Sequence, residues 1–280
     1  MSDVPLLTLT KALTIATSDS GGGAGIEADL KTFAAFGVYG LCVISGVSAQ
    51  NTVAVTGLEL VSPQLVTLQL KAVFDDIGVD AIKIGLLGNA ANTKAVAAFL
   101  EDLPLRPPVI LDPVMVSATG HTFIDQDAIE ALVTLFPLTT LVTPNLPEAR
   151  ALSGVDISLE SDYVLAAEKI AELGANGVLI KGGHAHGPDA RDLFLGPKGP
   201  TWISTKRVQT SNNHGTGCTL SSAIASAMAR GESLEEAVKL AKLFVAGALA
   251  TSIKLGRGPG PLNHFYHFYN YTEVKNRENA

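Results

Sequence analysis

Short apolar runs alternate with longer stretches of helical periodicity along this chain. Runs at 13–17, 40–47, 81–84, 109–111, 140–142, 177–180 and 192–195 are rich in Val, Ile and Leu. Several lack polar alternation, the pattern of strands buried on both faces. Stretches at 24–36, 63–76, 90–100, 125–135, 146–153 and 161–173 read as helices. Ser62-Pro63 marks one start, an N-cap with proline in the first turn. Ser233 and Glu236 carry a capping-box signature, followed by an apolar stripe of Leu234, Ala237, Val238, Ala241, Val245, Ala248 and Leu249. This strand–helix rhythm predicts right-handed crossovers, a mainly parallel sheet and helices on both of its faces. No linker, composition shift or repeat divides the 280 residues. One α/β domain over 1–280 is expected, ending in a tail at 263–280.

Composition narrows the partners. Apolar residues make up 47% and charged residues 17%, as in a packed globular protein. A net charge of −7 argues against nucleic acid or an anionic membrane as the main partner. It leaves room for an anionic substrate, because helix N-termini and a bound cation can outweigh the global sign locally. Cys42 and Cys218 lie far apart without CxxC spacing, which disfavours a disulfide scaffold or zinc ribbon and favours a reducing compartment. "MSDVPLLTLTK" lacks the pattern of a secretory signal, and the apolar segment 237–253 holds Lys239 and Lys242 and is too short to span a bilayer. A cytoplasmic protein is expected.

Candidate chemistry collects after the strands. "SDSGGGAGIEADLKTF" (18–33) can be read as GxGxxA through Gly23, Gly25 and Ala28. A dinucleotide site also wants an acid after the second strand, and "SAQNT" supplies Gln50 instead. No GxxxxGK[ST] is present, so a P-loop is disfavoured too. Asp29 falls at the edge of a helix face beside Phe33 and needs a partner, either the glycine loop or a ligand. Gln50, in a loop past a strand end, can donate and accept toward a heterocycle edge. "LDPVM", "TPNLPEA" and "IKGGH" bring Asp112, then Asn145 and Glu148, then Lys181, Gly182 and Gly183 to one rim. The carboxylates suit Mg²⁺ held through water, and Lys181 with bare glycine amides suits phosphate. Simpler readings are helix-dipole stabilisation for Glu148 and a solvated side chain for Lys181.

"HGTGC" (214–218) runs straight into a helix. Gly215 and Gly217 around Thr216 free the backbone to converge on an anion, a suitable cradle for a phosphoryl group in transfer. Cys218 there feels the positive end of the helix dipole, which favours thiolate. The alternative is a small buried hydrophobe, a reading that suits Cys42 well. The aromatic tail "HFYHFYNY" holds His264 and His267, for which packing is a better reading than metal.

Together "SDSGGGAGIEADLKTF", "SAQNT", "IKIGLLG", "LDPVM", "TPNLPEA", "IKGGH", "HGTGCTLSSAIA" and "GRGPGPLNH" resemble, in order over 18–264, the hydroxymethylpyrimidine/phosphomethylpyrimidine kinases of the ribokinase superfamily. GTGC is the sharpest match, since many sugar kinases of that superfamily carry GTGD. The resemblance implies a ribokinase-like three-layer α/β/α sandwich and ATP-dependent phosphorylation of hydroxymethylpyrimidine and then of its monophosphate, in thiamine biosynthesis. It implies Cys218 as the base with the 215–218 amides as anion hole, and Asp29, Gln50, Ala24, Leu86 and Val114 around the pyrimidine. Asn145 and Glu148 match an NxxE motif that organises Mg²⁺ and phosphates; Lys181, Gly182 and Gly183 match the nucleotide side, with "GRGPG" near the adenine. It also implies a homodimer and a lid at 116–124. The chain departs from the family pattern at Thr17 (usually Gly), Leu86 (usually Met) and Asn213 (usually Thr). A pyridoxal/pyridoxine kinase of the same branch is the nearest alternative, and a non-catalytic pyrimidine or nucleotide sensor a further one. Gln50 and Asp29 favour the aminopyrimidine.

Overall fold

The computed structural model describes residues 9–115, 126–183 and 187–268. The proposed lid at 116–124 lies outside these residues. Nine strands form one sheet in the order β3-β2-β1-β4-β5-β6-β7-β8-β9. Its parallel centre consists of β1 (Lys11–Asp19), β2 (Tyr39–Gln50), β4 (Ala81–Ile84), β5 (Val109–Leu111), β6 (Leu141–Val142) and β7 (Val178–Ile180). Antiparallel strands close both edges: β3 (Val55–Leu60) beside β2, and the hairpin β8 (Asp189–Gly196) and β9 (Gly199–Lys206) beside β7.

The expected mainly parallel sheet with helices on both faces is what forms. β4, β5, β6 and β7 are buried at every position, which accounts for their apolar runs, broken only by Lys83 in β4. Adjacent residues nonetheless serve opposite layers. Ile82, Ile84, Val109 and Leu111 face one core with Val66 and Leu70 of α2 (Pro63–Asp76) and Val96 and Leu100 of α3 (Ala90–Glu101). Ala166 and Ile170 of α6 (Glu160–Glu172) and Ala149 of α5 (Leu146–Ser153) extend that layer. Ala12, Ile110, Leu141 and Leu179 face the other core, built by α1 (Gly25–Ala35), α7 (Thr216–Ala229) and α8 (Leu234–Ala250).

β3 and β9 escape the apolar-run criterion because each lies at an edge. "VTGLEL" and "GPTWISTK" are half exposed and interrupted by glycine or proline. The two N-caps read from sequence form: Ser62 accepts from Leu65 N–H and Ser233 from Glu236 N–H, both at 3.3 Å. Glu236 pairs with Lys239 at 3.4 Å.

The parallel strands and α7 set the site. All of β1, β2, β4, β5, β6 and β7 end at the same edge of the sheet, and the first turn of α7 lies against Asp112 and Lys181 there. Open parallel sheets bind ligands at that edge because the loops, not the strands, face solvent.

Candidate active site

Phosphate-binding geometry begins at Gly215. Its φ of +84° is left-handed, and a Cβ there would stand 1.8 Å from the carbonyl oxygen of Gly23. Only glycine satisfies both demands. No side chain caps α7; Thr216 N–H donates to Asn213 O at 3.3 Å, which leaves the Gly217 and Cys218 N–H groups to receive an anion. Thr216 folds back, its hydroxyl donating to Asn213 O at 2.6 Å. Gly217 is bare because Asp112 and Lys181 stand against it: a Cβ would approach Asp112 Oδ2 and Lys181 Nζ to 3.2 Å each.

Three strand ends converge here. Lys181 Nζ lies 2.6 Å from Asp112 Oδ1, and both side chains are largely buried. Thr143 Oγ1 donates to the same Asp112 oxygen at 3.3 Å. Asn145 caps α5 by accepting from Glu148 N–H at 2.9 Å, while Glu148 accepts from Asn145 N–H at 2.7 Å. NxxE is therefore a capping box, which holds the buried Glu148 carboxylate in place. Burial pushes the Glu148 carboxyl up to about 7; Lys181 pulls it down and Asp112 pushes it further up. Lys181 is no solvated side chain: despite burial, Asp112 and Glu148 hold its ammonium above the usual lysine range. Gly182 N–H donates to Asp192 Oδ1 at 2.9 Å, and Lys242 Nζ holds Asp192 Oδ2 at 2.6 Å. Gly183 is exposed, its carbonyl accepting from Arg207 at 2.6 Å.

Two carboxylates in electrostatic contact beside an anion cradle fit a hard cation. Among the described residues no group of three or more His, Cys, Asp or Glu side chains converges on one point. Mg²⁺ suits such a sparse set, because it keeps several waters and takes further oxygens from phosphates.

Cys218 departs from the thiolate expectation. It is partly exposed, yet burial pushes its thiol up to about 11. Lys83 and the Gly25 N–H pull the thiol down, while Asp29 and Asp112 push it up. The helix dipole thus acts within a setting where burial and two carboxylates dominate, and the resting group is a thiol.

Asp29 also departs from expectation. It is fully buried beneath the site, neither at a pocket edge nor bonded to the glycine loop. Lys83 Nζ lies 2.8 Å from Oδ2, Thr14 Oγ1 donates to Oδ2 at 2.6 Å, and Ser222 Oγ donates to Oδ1 at 2.6 Å. Its carboxylate is satisfied by protein groups on both oxygens. Lys83 went unnoticed in "IKIGLLG"; a lysine inside an otherwise apolar strand was the available signal.

Gln50 is half-buried at the end of β2, and Ala24 opens α1. Leu86 and Val114 are half-buried in the loops after β4 and β5. Asp19 Oδ2 accepts from Gly23 N–H at 3.1 Å and Ala24 N–H at 2.9 Å, and Oδ1 from Gly21 N–H at 2.8 Å. His214 Nε2 reaches Asp19 Oδ2 at 2.8 Å and lies 3.3 Å from the Gln50 amide. Neither Asp19 nor His214 was singled out in sequence, though Asp19 sits in "SDSGGG" and His214 opens "HGTGC".

Residues 19–263 match the family model described as phosphomethylpyrimidine kinase. The chain belongs to that family. A hydroxymethylpyrimidine/phosphomethylpyrimidine kinase of Rhizobium meliloti is 45% identical over 262 residues, covering 92% of this chain and 98% of the relative. Among solved structures, an ADP complex of Bacillus subtilis pyridoxal kinase superposes with a TM-score of 0.86 at 35% identity, over 94% of this chain and all of that one. A phosphomethylpyrimidine kinase from Clostridium difficile superposes with a TM-score of 0.76 at 39% identity, over 86% of this chain and all of that one. The ribokinase-like sandwich is thereby shown, and with it the kinase class.

Two departures of this chain from its family pattern meet in space. Thr17 Oγ1 lies 3.1 Å from Leu86 O and 3.2 Å from Ser45 Oγ, and Thr17 N–H donates to Leu86 O at 3.0 Å. The extra hydroxyl fastens the loop that carries Leu86. "GRGPG" packs on the turn beyond Gln50: a Cβ on Gly258 would meet Thr52 O at 1.8 Å, and one on Gly256 would meet Thr52 Oγ1 at 2.3 Å. That places it beside the turn that follows Gln50. The tail reads as packing. His264 is buried with Nε2 2.9 Å from Thr219 Oγ1, and burial lowers its imidazole to about 4, so it stays neutral. His267 lies against Tyr266, ring centres 3.9 Å apart.

Proposed function

We propose that this chain transfers the γ-phosphoryl group of ATP to the hydroxymethyl group of 4-amino-5-hydroxymethyl-2-methylpyrimidine, and then to the resulting monophosphate. The observation that carries this reading is the meeting of the uncapped α7 N-terminus, the Asp112–Lys181 pair and Cys218 at one sheet edge, with Gln50 joined to the same loop through His214. Gln50, Ala24, Leu86 and Val114 would hold the ring. Lys181 and Gly183 would hold the nucleotide phosphates, the Gly182 N–H being taken by Asp192, and the amides of Gly215, Gly217 and Cys218 the group in flight. Bound Mg²⁺, held through water by Asp112 and Glu148, would neutralise charge on the phosphates. Phosphoryl transfer passes through a loose transition state, so positioning and electrostatics supply most of the acceleration. The hydroxyl proton leaves late, and Cys218 can receive it only as thiolate, once the thiol's own proton has passed to solvent.

Pyridoxal kinase is the second reading, favoured by the TM-score of 0.86 against that enzyme. The 45% identity to the pyrimidine kinase favours the first. A coupled assay of hydroxymethylpyrimidine, its phosphate and pyridoxal side by side separates them. We expect both pyrimidines to lead in kcat/KM; a value for pyridoxal equal to theirs overturns the ranking. A non-catalytic sensor would show no substrate-dependent ATP turnover. Assembly as a homodimer and a cytoplasmic location belong to this reading by family resemblance, and no described helix is long and apolar enough to cross a membrane.

Glu148 gives a pH test. A carboxyl raised to about 7 is half-protonated at neutral pH and a poor cation ligand. Apparent Mg²⁺ affinity is expected to strengthen from about pH 6 to about pH 8 as the proton leaves. Glu148→Gln is expected to flatten that dependence, as read by Mg²⁺ titration of initial rates. A wild-type profile that is already flat contradicts Glu148 as the titrating ligand.

A further inference from the structure

His214 joins two halves of the site. It is buried, its N–H donates to Gly260 O at 3.1 Å, and its ring packs over the front glycine loop. A Cβ on Gly23 would fall 2.3 Å from His214 Cδ2, so the loop is bare where the ring crosses it. One ring nitrogen, Nε2, meets both Asp19 Oδ2 at 2.8 Å and the Gln50 amide at 3.3 Å.

The chemistry of these contacts is over-determined. Burial works against the Asp19 charge, but His214 and the Ala24 and Gly21 amides outweigh it and keep the carboxyl below its ordinary range. Asp19 is therefore ionised and can only accept, so Nε2 carries the proton that points to it. A second donor facing Nε2 would be repelled. The structure places Gln50 Nε2 toward His214 and Oε1 toward Ser48, which sets two donors face to face; turned over, the amide puts its carbonyl oxygen toward His214, since nitrogen and oxygen of an amide share one shape and only the neighbours distinguish them. The other end lies 3.4 Å from Ser48 Oγ. Ser48 has one hydroxyl proton, and it donates to Ser18 O at 2.8 Å. Ser48 is left as an acceptor, which calls for the NH₂ of Gln50 on its side. Two neighbours on opposite sides demand the same orientation.

We infer that His214 is a specificity-determining positioning residue: by fixing the Gln50 amide with oxygen toward His214 and nitrogen toward Ser48, it sets the order in which the site reads the substrate ring. This rests on the reading of Gln50 as the ring contact. The free lone pair of Oε1 accepts from an exocyclic amino group, and the free N–H of Nε2 donates to the adjacent ring nitrogen. A 4-amino pyrimidine presents that donor–acceptor edge. Its 4-oxo analogue presents the reverse, with C4=O accepting and N3–H donating, and cannot turn over because its hydroxymethyl group must still face the phosphate.

The test compares kcat/KM for 4-amino- and 4-oxo-5-hydroxymethyl-2-methylpyrimidine in wild type, His214→Ala, His214→Gln and Gln50→Ala. Wild type is expected to prefer the 4-amino compound by about 100-fold, the effect of mispairing two buried hydrogen bonds. In His214→Ala only the long 3.4 Å contact to Ser48 still orders the amide, and the preference should fall below about tenfold. That loss should come through the pyrimidine KM, with the ATP KM unmoved; a merely structural role would move both. His214→Gln places an N–H near the Nε2 position and is expected to restore most of the preference, which guards against a loop that fails to fold in His214→Ala. A wild-type preference that survives in His214→Ala but is lost in Gln50→Ala overturns the role of His214. A preference that survives Gln50→Ala overturns the reading of Gln50 itself.

Discussion

Cys218→Ala is expected to lower kcat by about 10²- to 10⁴-fold, the range for loss of a positioned proton acceptor. ATP binding should be unchanged within about twofold, because the phosphate contacts proposed for α7 come from backbone amides that the substitution leaves in place. The size of the loss tests how the site uses a thiol that burial has raised to about 11. A group so weakly acidic is protonated in the resting enzyme, so alkylation of Cys218 by iodoacetamide at neutral pH should be slower than that of a free cysteine. Steady-state rates, nucleotide titration and alkylation kinetics are the three measurements. Near-wild-type turnover by Cys218→Ala would remove Cys218 from the reaction and leave the anion cradle as the whole of the chemistry.

Legibility in the sequence followed burial. β4, β5, β6 and β7 are buried throughout and are visible as apolar runs, with Lys83 of β4 the one polar member. β3 and β9 are edge strands with partly exposed, glycine-bearing sequences, and no run marks them. The rim residues Asp112, Asn145, Glu148 and Lys181 were legible because each directly follows or lies close to the end of an apolar strand. Their mutual pairing was not, since it depends on strand order, which no local pattern contains. Asp29 shows the opposite failure. Its helical position is compatible with a ligand contact, and only the tertiary arrangement brings Thr14, Lys83 and Ser222 from β1, β4 and α7 onto its two oxygens. His214 and Gln50 are 164 residues apart, a separation that no motif spacing can bridge.

The same burial that hid the Asp29 network gives it the largest expected effect on stability. Lys83→Met is expected to cost about 3–5 kcal/mol in chemical denaturation, the usual consequence of stranding one charge of a buried pair. Lys83 and Asp29 are both inaccessible to solvent, with 2.8 Å between Nζ and Oδ2. Methionine fills similar volume, so the cost comes from the unpaired carboxylate and not from a cavity. Asp29→Asn added to Lys83→Met removes that charge while keeping an acceptor for Ser222 or Thr14, and should recover a large part of the loss. A double-mutant cycle isolates the pair. The sign with pH follows from Lys83 being held above its ordinary 10.5, by Asp29 against burial and with help from Asp112. A cation whose folded pKa is raised contributes fully below its unfolded value and loses that contribution as pH rises through the folded one. The stabilisation is therefore constant across neutral pH and declines only in strong alkali. Lys83 also faces Cys218 electrostatically, so Lys83→Met should slow Cys218 alkylation further as the thiol loses its nearest favourable charge. A destabilisation below about 1 kcal/mol would mean that water or a rearranged Ser222 compensates Asp29, and that the pair orders the floor of the site without holding the fold.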